Sequence, residues 1–138
     1  MTNLSLCSVD LAYMTGFFDG EGCVYIRKEK HGYYIVVTIQ QINREPLEKI
    51  RRAYGGSLLY RQEKGRKRGI HILRIQTQQA ISFLSDIQRY LLVKQREVEL
   101  TLCFSERPRF NRWHTASSVD MEIMEFYRTC LQKMKRGQ

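Results

Sequence analysis

The sequence predicts an α+β fold in which helices and two β-hairpins alternate along a single domain of 138 residues. Three observations carry this reading. Residues 23–41 and 57–76 each hold two runs of period-two alternation around a turn. The stretches between and after them repeat apolar residues at three- and four-residue spacing. Gly, Asn, Pro and Ser stand at the joins. The order is helix, two strands, helix, two strands, helix, then a helical tail: an αββαββα core over about 8–106, and a tail over about 107–138.

The first helix covers Leu11-Ala12-Tyr13-Met14-Thr15-Gly16-Phe17-Phe18-Asp19-Gly20-Glu21-Gly22. Ser8 is placed to cap it, with Asp10 in its first turn. Leu11, Met14, Phe17 and Phe18 supply the face that packs on a sheet. Ala12, Gly16 and Gly20 are spaced by four and stack on another face. Glycine inside a helix costs about 1 kcal/mol relative to alanine. Two on one face therefore point to another backbone approaching there. Asp19 and Glu21 then fall at the helix's C-terminal end, where the macrodipole disfavours carboxylates. A bound divalent cation is a natural compensation.

In the first hairpin, residues 23–29 go out, Lys30-His31-Gly32 turns, and residues 34–40 return. Val24, Ile26, Ile35, Val37 and Ile39 take the core face. Tyr25, Arg27, Glu29, Tyr34, Val36, Thr38 and Gln40 take the other. Asn43 is placed to cap a second helix with Pro46 in its first turn. Leu47, Ile50 and Tyr54 form its stripe, and Gly55-Gly56 ends it. The second hairpin runs out over 57–63 and back over 69–76. Arg61, Glu63, Arg74 and Gln76 are on its polar face, Leu73 and Ile75 on its core face. Its loop carries Lys64, Arg66, Lys67 and Arg68, four cations suited to phosphate contact. Thr77 caps a third helix, with Ala80, Ile81, Leu84, Ile87 and Leu91 inward and Phe83 at the edge of that stripe. A break at Leu92-Val93 leads through Lys94 into a fourth helix ending near Glu106, with Val98, Leu100, Leu102 and Phe104 apolar. A basic, aromatic loop follows: Arg107, Arg109, Phe110, Arg112 and Trp113. Ser117 and Asp120 form a capping pair for a last helix carrying Ile123, Phe126 or Tyr127, and Leu131.

Composition narrows the function classes. The chain has 23 Lys+Arg against 14 Asp+Glu, a net charge of +9, which favours a polyanion partner, nucleic acid first. No apolar run approaches about 18 residues, so no membrane span is expected. There is no secretory signal pattern at the N-terminus. Cys7, Cys23, Cys103 and Cys130 are scattered without a CxxC pair, which points to free thiols in a reducing, intracellular compartment.

Residues Met14-Thr15-Gly16-Phe17-Phe18-Asp19-Gly20-Glu21-Gly22 resemble the signature of the LAGLIDADG homing endonucleases. Gly16, Asp19, Gly20 and Gly22 are in place, and Glu21 stands where the second, metal-binding acid belongs. Leu11-Ala12 before the motif and the strand Cys23-Val24-Tyr25-Ile26-Arg27 after it also fit. The resemblance implies the same αββαββα core, with a four-stranded antiparallel saddle as the DNA-binding surface. It implies a Mg2+-dependent enzyme, with Mn2+ able to substitute, that cuts both strands of a long pseudo-palindromic duplex across the minor groove. No second copy of the motif follows, so the expected assembly is a homodimer with Ala12, Gly16, Asp19 and Gly20 at its interface. Glu21 and the carbonyl of Gly20 are the expected metal ligands, and Asp19 is structural.

By the same resemblance, a glutamine at the end of the second strand and a lysine after the third helix complete the catalytic set. Gln41 matches the first, with Gln40 adjacent and the register open. Lys94 matches the second, and Arg44 is a weaker match to a basic residue beyond the glutamine. The candidate base- and phosphate-contacting residues are Tyr25, Arg27, Glu29, Tyr34, Val36, Thr38, Gln40, Arg61, Glu63, Arg66, Lys67, Arg68 and Arg74. Homing of an intron is the implied biology, in whichever compartment holds that intron. A catalytically silent DNA-binding regulator, or a splicing maturase that binds intron RNA, is the alternative on this fold.

Overall fold

The computed structural model describes residues 7–30, 32–62, 64–65, 67–107 and 118–137. The expected turn residue His31, the base-face residue Glu63, the loop cation Arg66, the aromatic and basic residues Arg109, Phe110, Arg112 and Trp113, and the cap Ser117 lie outside the described residues. The elements run in the expected order: α1 Ser8–Glu21, β1 Gly22–Glu29, β2 Gly32–Gln41, α2 Glu45–Tyr54, β3 Ser57–Arg61, β4 Ile70–Gln76, α3 Thr77–Ile87, α4 Gln95–Ser105 and α5 Ser118–Lys135. A 3₁₀ turn, Gln88–Tyr90, links α3 to the segment before α4. No helix among the described residues is long and apolar enough to cross a membrane.

The four strands form one antiparallel sheet in the order β1-β2-β4-β3. Alternation decides its two faces. Val24, Ile26, Ile35, Val37, Ile39, Leu73 and Ile75 are buried under the helices. The pairs Arg27↔Tyr34, Tyr25↔Val36, Thr38↔Arg74 and Ser57↔Arg74 place the expected polar set on the opposite face.

The helices meet over an aromatic row. Phe18 of α1 packs edge-on to Phe83 of α3 at 5.6 Å between ring centres, and Phe83 packs on Tyr54 of α2 at 5.1 Å. The Tyr54 hydroxyl donates to Asp86 Oδ2 at 2.6 Å, so its polar end is satisfied where the ring is buried. Burial, then the Asp86 carboxylate, pushes the Tyr54 phenol pKa upward. At the other end of the sheet Tyr33 is buried and donates to Glu125 Oε1 of α5 at 2.9 Å. Burial and that carboxylate push the Tyr33 phenol up to about 12.

Several local expectations are corrected. Cys7, not Ser8, occupies the cap position of α1, and its thiol reaches Asp10 Oδ2 at 3.3 Å. Asn43 does not cap α2. The helix starts after Arg44, and the Gln41 side chain instead accepts from the backbone N–H groups of Ile42 and Asn43. Thr77 is the first residue of α3 rather than its cap, at φ +51°, because β4 runs into α3 with no intervening loop. That φ is unusual for a β-branched residue. Phe83 is fully buried rather than marginal, since Phe18 and Tyr54 both close on it, and Ile81 is only half-buried. In α4 the inward positions are Val98, Thr101 and Phe104, while Leu100 and Leu102 flank them. Thr101 is tolerated inside because its hydroxyl donates to the Glu97 carbonyl at 2.8 Å. In α5 Leu131 is buried as expected and Met124 joins it; of the two alternatives Tyr127 packs against the core and Phe126 is exposed. The strands β3 and β4 stop at Arg61 and Ile70, shorter than their alternation implied.

The motif glycines divide by role. A Cβ on Gly22 would lie 2.1 Å from the Phe18 ring and 2.8 Å from the Phe18 carbonyl oxygen. Gly22 is thus needed because the strand passes directly over a buried ring. Gly22→Ala is expected to destabilise the fold by about 1–3 kcal/mol, the range for overpacking a filled core. Denaturant unfolding checks this; a midpoint equal to that of the parent shows that Phe18 relaxes freely. A Cβ on Gly16 or Gly20 meets nothing within 4 Å, so no described part of this chain closes on that face.

Candidate active site and nucleic-acid face

The site is built at the C-terminal end of α1. Asp19 and Lys94, 75 residues apart, exchange contacts there. The Asp19 carboxylate accepts from the backbone N–H groups of Leu92, Val93 and Lys94 at 2.9, 3.1 and 2.9 Å. In return the Lys94 ammonium donates to the Asp19 carbonyl oxygen at 2.6 Å. The arrangement resolves the misplaced charge noted in the sequence. Asp19 leaves its own helix end and serves the N-terminal end of α4, where Lys94 is the cap residue. Lys94 brings a cation to the C-terminal end of α1. Burial raises the Asp19 pKa, but the three amides and the Lys94 charge outweigh it and hold the carboxyl below its usual value.

Glu21 is the last residue of α1 and is exposed. Among the described residues its carboxylate has no hydrogen-bond or ion-pair partner. It borders a cleft shared with Gln40, Gln41, Ile42 and Ile70. The β1–β2 ladder ends at Gly22↔Ile39, and Gln40, the next residue of β2, lies on the cleft beside Glu21. Gln41 reaches the same cleft with its carbonyl oxygen already engaged at 2.9 Å by the Ile42 N–H, leaving its amide donors available. Arg44 lies one turn further on, exposed, 3.6 Å from Glu48. Glu21, Gln40 and Gln41 are therefore brought together, Asp19 and Lys94 are joined beside them, and Arg44 stays at the margin.

The outward sheet face carries Tyr25, Arg27, Glu29, Tyr34, Thr38, Arg61 and Arg74. Arg27 lies 3.0 Å from Glu29 and over the Tyr34 ring at 5.9 Å. Arg74 Nε is buried with no acceptor among the described residues. Lys67 and Arg68 are exposed at the β3–β4 turn. Val36 belongs to this face by register but is fully covered by its neighbours, so it presents no surface for a base. Sequence reading missed the apolar half of the face. Leu59, Ile70 and Ile72 join it by register, and the alternation of Ile70-His71-Ile72-Leu73 was too ambiguous to reveal them.

A family model described as a LAGLIDADG-like domain matches residues 8–88. The chain belongs to this family. The match spans α1 through α3 and includes the Asp19 and Glu21 motif. No curated protein matches the sequence. The LAGLIDADG fold is matched in solved structures. An archaeal intron-encoded homing endonuclease, I-Vdi141I, complexed with DNA, is 20% identical and covers 91% of this chain and 83% of its own, with a TM-score of 0.72. The homing endonuclease I-CvuI, in complex with the I-CreI target in the presence of Mg, is 15% identical over 90% of this chain and 80% of its own, with a TM-score of 0.69. The LAGLIDADG meganuclease I-AabMI, bound to uncleaved DNA, is 22% identical over 86% of this chain but only 43% of its own, with a TM-score of 0.65. That chain is long enough for two such folds.

Proposed function

We propose that this LAGLIDADG protein is a homodimeric, Mg2+-dependent endonuclease that cuts both strands of a long pseudo-palindromic DNA site, acting in intron homing. One observation carries the reading. An exposed carboxylate, Glu21, with no partner among the described residues, lines one cleft with Gln40 and Gln41 at the end of a helix whose glycine face is open to the described residues, beside a sheet face bearing arginines.

The donor set fits the metal. Glu21 and the Gly20 carbonyl are hard oxygen ligands, and Mg2+ is commonly held by one or two carboxylates together with waters and substrate phosphates. No group of three His, Cys, Asp or Glu gathers among the described residues, so a protein-only cage is not what this site offers. When bound, the ion supplies positive charge at the scissile phosphate and a more acidic water. The chain's own residues do the rest. Gln40 and Gln41 offer amide donors to a phosphate oxygen or to the attacking water. Lys94, held at the end of α1 by Asp19, keeps a positive charge close to the reacting phosphate. The outward strands enter the major groove, where Arg27, Arg61 and Arg74 are suited to guanine.

Two copies are needed to cut two strands. The face at Ala12, Gly16 and Gly20, open to the described residues, supports contact between two α1 helices. Gly16→Leu is expected to leave a folded chain, because the side chain enters open space, and to abolish the dimer. Sedimentation checks this: a variant that remains dimeric moves the interface elsewhere.

The direct test is a duplex that fuses the exons flanking the host intron, incubated with protein in Mg2+, Ca2+ or EDTA. A double-strand cut near the junction, in Mg2+ alone, is expected. Tight binding with no cut under any metal condition overturns the nuclease reading in favour of a DNA-binding regulator or maturase.

A further inference from the structure

We propose that the cleft between β1 and α5 is a second DNA contact, holding one backbone phosphate beside the base-reading sheet. The proposal rests on the DNA-binding reading above and adds to it an element, α5, that lies beyond the residues matched by the family model.

β1 is the edge strand of the sheet, and α5 packs along it. The cleft between them has a volume of about 370 Å³. Arg27 and Lys28 come from β1, Arg128, Gln132 and Lys135 from α5. Ile26 and Leu131, both buried, form its apolar floor. Two carboxylates face these cations. Glu125 accepts from Arg128 Nη1 at 3.0 Å and lies 3.7 Å from Lys28 Nζ, and Glu29 lies 3.0 Å from Arg27 Nε. Four cations against two acids leave an excess of positive charge at one concave place.

Two details favour a phosphate over simple solvation. Arg128 Nε is buried, and among the described residues it has no acceptor. A buried guanidinium donor left unpaired is costly, and phosphate oxygens match its geometry. Lys135 has no carboxylate partner among the described residues. Its ammonium instead lies over the Tyr25 ring at 5.5 Å, which keeps it at the mouth of the cleft. Tyr25 and Arg27 also belong to the outward sheet face, so the cleft opens directly beside the residues placed against bases. That continuity selects a phosphate of the same duplex over a free anion.

The test uses the full chain and equilibrium binding to two duplexes, the fused-exon sequence and an unrelated sequence of equal length, over about 50–200 mM salt. Lys135→Gln is expected to lower the slope of log affinity against log salt by about 1 and to weaken both duplexes several-fold alike. Gln132→Glu, which adds a negative charge to the cleft without altering its core, is expected to weaken both further. Lys133→Gln removes the same charge from α5 outside the cleft and is expected to leave the slope unchanged. An unchanged slope for Lys135→Gln overturns the proposal, as does an equal fall for Lys133→Gln, which indicates diffuse attraction. Binding without cleavage overturns the nuclease reading and leaves this site standing. Parent protein that binds neither duplex overturns both.

Discussion

Glu21→Gln is expected to retain DNA binding and to lose cleavage by on the order of 1,000-fold or more, the scale for removing a group that organises charge at a transition state. The substitution keeps size and hydrogen-bonding capacity while removing the charge that a divalent cation needs. Glu21 is exposed and has no partner among the described residues, so neither fold nor sheet face should change. Single-turnover cleavage in Mg2+, with affinity measured in parallel in Ca2+, separates the two effects. Cutting at the parent rate would falsify the assignment of Glu21 as metal ligand. Loss of both binding and cutting places the Glu21 contribution in the DNA interface instead.

The second large effect is expected at Asp19. Asp19→Ala removes the acceptor of three backbone N–H groups and frees the Lys94 segment. Bonds to a charged acceptor contribute about 1.5–3 kcal/mol before solvent screening, so a loss of about 2 kcal/mol is expected at this half-exposed site. Activity should fall beyond the loss of folded protein, because the carboxylate that holds the Lys94 amide is gone and the backbone carbonyl that accepts its ammonium remains as the one tie between the two segments at Asp19. The same group predicts a pH dependence. The folded-state pKa is lowered, so the stabilisation is present above the ordinary aspartate range and is lost as pH falls through the folded value. The stability of the parent should therefore fall with acid more steeply than that of Asp19→Ala. Parallel pH profiles for the two proteins show that the carboxylate does not hold the turn.

The two effects differ in origin. Glu21 has no hydrogen-bond or ion-pair partner among the described residues, and its value is expected only when metal and DNA arrive. Asp19 is fully engaged in the folded chain, tied into the turn before α4 and thus unavailable as a free metal ligand. The two acids of the motif therefore stand in different environments, Asp19 bound into the turn before α4 and Glu21 exposed.

Sequence periodicity alone determined the element order and the two faces of the sheet, because side-chain direction repeats every two residues in a strand and is a local property. The spacing of Gly16, Asp19, Gly20, Glu21 and Gly22 likewise pointed to the family. Caps were less legible: Ser8, Asn43 and Thr77 each have the right chemistry, but neighbouring chain geometry put the helix starts elsewhere. Only the tertiary structure decided what these groups touch. Lys94 meets Asp19 across 75 residues, Val36 is covered on a face meant to be open, and Arg128 and Lys135 join Arg27 and Lys28 across the β1 edge. Such contacts depend on how separate elements pack, and no spacing within one element encodes them.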